Sequence, residues 1–404
     1  MVTQPCPTKF PQWEISAWVV PNRKMQAKKQ VADVTEEALV NNSIFPAEIM
    51  EKIFQSLHSG GNIRFRLATK SFISMIPPVR SFNPQILSST QDLPWLVSFP
   101  NSTEKICYFY HPIYTNVYTT NFSRLRDSII RHAKFGWLLM SVGRRCLFFF
   151  NPLTGETVQL PTGYPPYGTF INISFSSPPT STDCVVFGHM SCGENFAHMS
   201  VYRKSQNRWC NHSFLNTGYT FIPSDCNQVY RDGVFYSLSK DGKLGVFNPN
   251  ESNEEDMWKV YTNLSVPSVR LSTTSLICGD STRSFIVERD SEILCVFVGC
   301  IGDPVHVYKL DQSKETKKWI RVESLGDRVM FLSHTTSILV PAVLKGTENR
   351  IYLPRFKKNS SVFYSLKSGK YHSFGDQDSR ADWINTSEHW NCTWFQIPSA
   401  THPS

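Results

Sequence analysis

Two hydrophobic periods divide the chain. Between Phe45 and Leu57 apolar residues recur at helical spacing: Ile49, Ile53 and Leu57 lie four apart, with Met50 and Phe54 beside them. Pro46 suits the first helical position, where no backbone N–H is needed, and Glu48 puts an acid in the first turn. Gly60-Gly61 stops that helix. A second helical pattern sets Phe65, Thr69, Phe72 and Ile76 on one side, with Leu67 nearby, and ends at Pro77-Pro78. Two helices this short cannot bury so wide an apolar surface against each other. The pattern therefore predicts a helical pair covered by another surface.

From about Gln85 the helical period disappears. Short runs of Val, Ile, Phe and Tyr now alternate with turn clusters. The clearest unit is Cys146–Pro161, in which an apolar strand enters Asn151-Pro152, turns through Thr154-Gly155 and returns as Thr157–Leu160. His198–Tyr202 with Arg208–Cys210, Gly233–Leu238 with Leu244–Pro249, and Val305–Leu310 with Lys318–Val322 repeat the shape. So does Arg350–Leu353, followed by Ser361–Leu366 and Lys370–His372. The return strand tends to begin near Trp, Tyr or Val. The spacing lies near the roughly 40–50 residues of one four-stranded propeller blade. The chain is thus expected to be mainly β, a C-terminal β-propeller of about six or seven blades preceded by a short all-α segment.

Trp383, Trp390, Trp394 and Phe395 are too many large aromatics for a free tail. They are expected to complete the last blade and close the ring.

Composition narrows the class. The 404 residues include 13% aromatics, which argues against general disorder. The eleven cysteines are scattered, with no CxxC, and no basic start leads into an apolar run at the N-terminus. No window approaches the ~18 apolar residues of a membrane span. The cysteines are expected to be reduced, and the protein to be cytoplasmic or nuclear, or both. A net charge of +8, with one dense basic cluster at Arg23, Lys24, Lys28 and Lys29, does not describe a nucleic-acid binder.

The helical segment resembles an F-box, the module that docks receptors on the Skp-type adaptor of a cullin ubiquitin ligase. Phe45-Pro46-x-Glu48-Ile49 stands where that family has Leu-Pro-x-Glu-Ile. Ala68-Thr69-Lys70-Ser71-Phe72 stands where it prefers Val-Cys-Lys-x-Trp, so the lysine is kept and several apolar contacts shrink. The pairing with the later strands resembles plant F-box proteins that carry a kelch-like propeller. Gln91–Pro100, with its Pro-Trp-Leu at 94–96, the segments Asn349–Leu353 and Val362–Gly369, and Trp394–Pro398 carry that likeness. The paired glycines of true kelch repeats are missing. The resemblance implies a tail over 1–43, an F-box over 44–78, a linker over 79–94 and a propeller over 95–398. It also implies adaptor contact through Phe45, Pro46, Ile49, Met50, Ile53, Phe54, Leu57, Phe65, Leu67 and Phe72, and an unknown target protein on the propeller.

Catalytic motifs are missing: there is no GxSxG, P-loop, GxGxxG before a helix, or HExxH. Cys184, His189, Cys192 and His198 are zinc-capable, but they flank two strands whose side chains alternate between faces, so no metal is expected. No cofactor is expected either. A propeller glycosidase would need acids at equivalent blade ends, and Glu156, Asp241 and Glu288 do not share one repeat position. The expected role is that of a non-catalytic receptor subunit. The alternatives are a scaffold with a non-functional F-box or a propeller glycosidase.

Overall fold

The computed structural model describes residues 17–18 and 93–396, apart from 100–105, 113–116, 123–124, 126, 144–145, 163–168, 191–195, 216–220, 265, 267–282, 300–302, 313–316, 358–359, 374–386 and 389–390. The F-box-like segment, with all ten residues expected to contact an adaptor, lies outside the described residues.

The described strands form six sheets arranged as the blades of a propeller. Blades II to V are four-stranded antiparallel meanders read in chain order from the central channel outward. Their inner strands are Ser128–Lys134, Phe170–Phe175, Val229–Arg231 and Arg283–Arg289. The hairpins expected from the turn residues form. Phe150 faces Thr157, with Gly155 at φ 74° in the turn, and Val201 faces Cys210, with Asn207 at φ 48°. Both residue types tolerate this left-handed backbone at low steric cost.

Ring closure differs in detail from the expectation. Cys392–Phe395 is the inner strand of the first blade, not of the last, and pairs antiparallel with Trp95–Ser98. Blade I therefore joins both ends of the propeller, as strand order β392–395, 95–98, 106–110, 117–121, with Ala17–Trp18 paired at its outer edge. Trp394 and Phe395 are buried there, while Trp383 and Trp390 lie outside the described residues.

Blade VI departs from the regular meander. The chain enters as Arg328–Phe331 and doubles back as Ile338–Pro341, which becomes the inner strand. Arg350–Lys357 then runs parallel to Arg328–Phe331, with Met330 opposite Ile351 and Phe331 opposite Tyr352. The extra hairpin sends residues 332–337 into the channel.

The core lies between blades. One apolar cluster joins blades I and II through Phe109, Phe122, Phe148 and Phe150. Another joins II and III through Phe149, Phe175 and Trp209, and a third joins III and IV through Phe187, Phe235 and Phe247. Two glycines make room for these rings. A Cβ on Gly245 would lie 1.9 Å from the Trp258 ring, and one on Gly188 would lie 2.5 Å from Phe170.

Tryptophan also links blades through its N–H. Trp209 Nε1 donates to Pro161 O at the end of blade II, and Trp319 Nε1 of blade V donates to Gly242 O of blade IV, each at 2.8 Å. Trp394 Nε1 of the closing strand donates to Leu332 O of blade VI at 2.9 Å. A buried indole thus supplies both area and a satisfied donor at each of these joints.

The cysteines depart from the expectation at one point. Cys146 is disulfide-bonded, whereas Cys107, Cys184, Cys210, Cys226, Cys295 and Cys392 keep their thiols. Cys146 opens its strand half-buried, and linear spacing does not announce a disulfide there. Among the described residues, no helix is long and apolar enough to cross a membrane.

Closure through Trp394 yields a stability prediction. Trp394→Ala removes a fully buried ring and should lower unfolding free energy by about 3–5 kcal/mol. Trp394→Phe keeps most of the ring but leaves Leu332 O without its donor, a loss of about 1–3 kcal/mol. Urea denaturation followed by tryptophan fluorescence and circular dichroism checks both, and equal stability of all three proteins would show that the strand does not hold the ring.

Candidate functional site

The inner strands turn their free edges to the channel, where backbone groups must find partners other than a neighbouring strand. Side chains from other blades supply them. Ile130 N donates to Asn391 Oδ1 at 2.9 Å, and Asn391 Nδ2 donates back to Ser128 O at 3.0 Å. Ala133 N donates to Thr336 Oγ1 at 2.9 Å, and that hydroxyl donates to Ala133 O at 3.0 Å. Ile173 N donates to Asn227 Oδ1 at 2.8 Å.

Asn227 is the hub of this network. Its side-chain amide donates to Thr335 O at 2.8 Å and also to Arg131 O, and its backbone N–H donates to His334 O at 3.0 Å. One residue preceding blade IV therefore holds blades II, III and VI. Around it, Asn172 Nδ2 donates to Ser224 O and Cys226 O at 3.1 Å, and Gln228 Nε2 donates to Asn172 Oδ1 at 2.6 Å. The 333–337 segment and residues 224–228 together fill the channel axis with hydrogen-bonded polar groups.

Beyond this plug, where the inner strands of blades II and V end, a cavity of about 200 Å³ opens. Its walls carry Lys134 and Phe135 from blade II, Phe175 from blade III, Gln228 and Tyr230 from blade IV, Glu288 and Arg289 from blade V, Ile338 from blade VI and Gln396 from blade I. All six blades reach it. Phe135, at φ 54° and 37% exposed, stands at the rim. Lys134 Nζ lies 5.1 Å from the Phe135 ring centre, within cation–π range. Desolvation holds the Lys134 ammonium below the usual lysine value, and the Glu288 carboxylate partly offsets that.

Of two buried histidines, His132 lies beside the channel and His189 between blades III and IV. His132 donates Nδ1–H to Thr335 O at 2.7 Å, and desolvation lowers its pKa to about 3. His189 bonds Ser237 Oγ at 2.9 Å among Phe187, Phe221 and Trp258, and desolvation again lowers it to about 3. Both are neutral structural groups at physiological pH.

The zinc-capable residues do not converge. Cys184 is buried between blades II and III, His189 faces blade IV, and His198 bonds Ser213 Oγ on its own blade at 2.7 Å. Cys192 lies outside the described residues. Among the described residues, no three His, Cys, Asp or Glu side chains are grouped to hold an ion. Of the three acids weighed for a glycosidase, Glu156 and Asp241 occupy exposed turns, and Glu288 alone faces the channel. Lys134, Asn227 and the Ser333–Ser337 segment were not legible as site residues. The available signal was the polar run interrupting the apolar strand pattern at 333–337.

The comparisons with known proteins agree with this architecture. Residues 109–373 match the family model described as the KIB1-4 beta-propeller. The F-box/kelch-repeat protein At1g57790 of Arabidopsis thaliana is 29% identical over 337 residues, spanning 81% of this chain and 87% of that protein. The F-box protein At4g00893 of the same plant is 29% identical over 333 residues, spanning 81% and 80%. F-box/kelch-repeat protein At3g18720, also from Arabidopsis thaliana, is 29% identical over 318 residues, spanning 76% and 78%. These matches bear out the resemblance to plant F-box proteins with a propeller.

The histidines predict a pH dependence. Their value is 6.5 in the unfolded chain and about 3 in the fold, so between those limits the unfolded chain binds protons that the folded chain refuses. Stability is fully present above pH 6.5 and is lost as pH falls. At pH 5 the loss is about 2 kcal/mol per histidine. Urea midpoints measured from pH 5 to 8 should show this decline, and His189→Gln should make it shallower. A protein as stable at pH 5 as at pH 7.5 would contradict the assignment.

Proposed function

The chain belongs to the KIB1-4 beta-propeller family, and from that premise we propose that it is the substrate-recognition subunit of an SCF-type cullin ubiquitin ligase. The segment 44–78 grips the Skp-type adaptor and, through it, the cullin. The propeller captures the target protein. Transfer chemistry belongs to another subunit, so this chain contributes position, and it works in the cytoplasm or nucleus, or both.

The observation that carries this reading is the joining, in one chain, of an F-box-patterned sequence segment to a six-bladed propeller whose relatives bear F-box names. The cavity supports it as well. Among the described residues Glu288 is the single carboxylate on its walls, whereas glycoside hydrolysis uses two flanking the scissile bond. The F-box departures at Ala68, Thr69 and Phe72 keep a second reading in play, a propeller scaffold that no longer engages the ligase.

Adaptor pull-down separates the two. Each large apolar anchor that becomes buried contributes about 1.5–3 kcal/mol, so the Ile49, Ile53, Phe54 and Leu57 face suffices for a stable contact. Ile53→Glu places a charge in that dry contact and should weaken adaptor binding at least about tenfold. Binding equal to that of the parent would overturn the assignment. A parent chain that captures no adaptor would favour the scaffold.

A further inference from the structure

The polar groups around the cavity fall into two sets. Those on its inner wall are already committed: His132, Asn227, Gln228 and Thr336 each bond another part of the plug. Those at the mouth are not. Among the described residues, Lys134 Nζ and the Glu288 carboxylate make no hydrogen bond or ion pair, and Arg289 is turned aside, its Nε pairing with Asp290 at 3.1 Å. Lys134 belongs to blade II and Glu288 to blade V, which stand opposite in a ring of six. A cation and an anion thus line one partly desolvated cavity and feel each other's charge without forming an ion pair.

Unpaired charges in such a place destabilise the free protein. A ligand that brings the complementary groups removes the penalty. Phe135, Phe175 and Tyr230 supply apolar walls between the two charges, of a size suited to a side chain or chain end.

We propose that the channel mouth binds a carboxylate-bearing peptide segment, its carboxylate against Lys134 and a neighbouring N–H donor against Glu288. This assignment rests on the reading of the propeller as the target-binding part, and it names the feature of the target that is recognised. The carboxylate is either an Asp or Glu side chain or a free chain end, since both present the same group.

Lys134 tests it cleanly, because it packs on Phe135 without a polar partner. Lys134→Met should keep or raise the melting temperature, whereas a merely structural lysine would lower it. The full chain is panned against a random nonapeptide library displayed with free C-termini, with subtraction on the Lys134→Met chain. Selected peptides, synthesised with a fluorophore, should bind at least tenfold more weakly to Lys134→Met and several-fold more weakly to Glu288→Gln. Replacing an Asp or Glu in them by Asn or Gln, or amidating the C-terminus, should reproduce the loss and tell which carboxylate is read. Selected peptides without an essential carboxylate would overturn the proposal, as would binding indifferent to Lys134→Met or a library that yields no binder. None of these outcomes touches adaptor pull-down, so the receptor reading stands or falls separately.

Discussion

The inner edges of the six sheets govern the rest of this structure. A four-stranded blade pairs both sides of its two middle strands, and its outer edge meets solvent, but its innermost strand has no neighbouring strand on the channel side. In this chain the deficit is met by side chains from other blades. Asn391, Thr336 and Asn227 bond Ile130, Ala133 and Ile173 respectively. Each bond joins residues of different blades, so channel filling and blade-to-blade contact use the same groups. The same fact shapes the site. Asn227, Gln228 and the 333–337 segment line the inner wall of the cavity at the mouth, where all six blades converge.

Closure adds a second requirement, that the first and last strands meet. Cys392–Phe395 pairs with Trp95–Ser98, and Trp394 reaches blade VI through Leu332 O. The joints at Trp209 and Trp319 use the same chemistry between interior blades. A fully buried indole with a bonded N–H both fills an inter-blade gap and fixes its register, which suits it to a ring assembled from diffuse repeats.

Much of this was legible in the sequence because it is local. Thr154-Gly155 and Gln206-Asn207 announce their hairpins through residues that accept left-handed backbone, and the apolar runs between them read as strands. The long-range features were not legible. Nothing in Trp394-Phe395 says whether its partner is the last blade or the first. The hairpin at 328–341 looks like any other, although it inserts an inner strand and a parallel pair. Glu288 reads as an ordinary strand acid until the ring sets it opposite Lys134. Asn227 sits in a stretch that reads as loop, and its role exists only once three other blades surround it.

In the proposed role the protein is a coupler, with one part holding a ligase and the other holding a target. Its most direct test is ubiquitin transfer in a reconstituted cullin ligase, using as substrate the partner most strongly labelled by proximity tagging of the whole chain. The account predicts modification of that partner with the intact chain, and none with a chain that ends before Trp95 and so lacks the propeller. Equal modification with and without the propeller would contradict it.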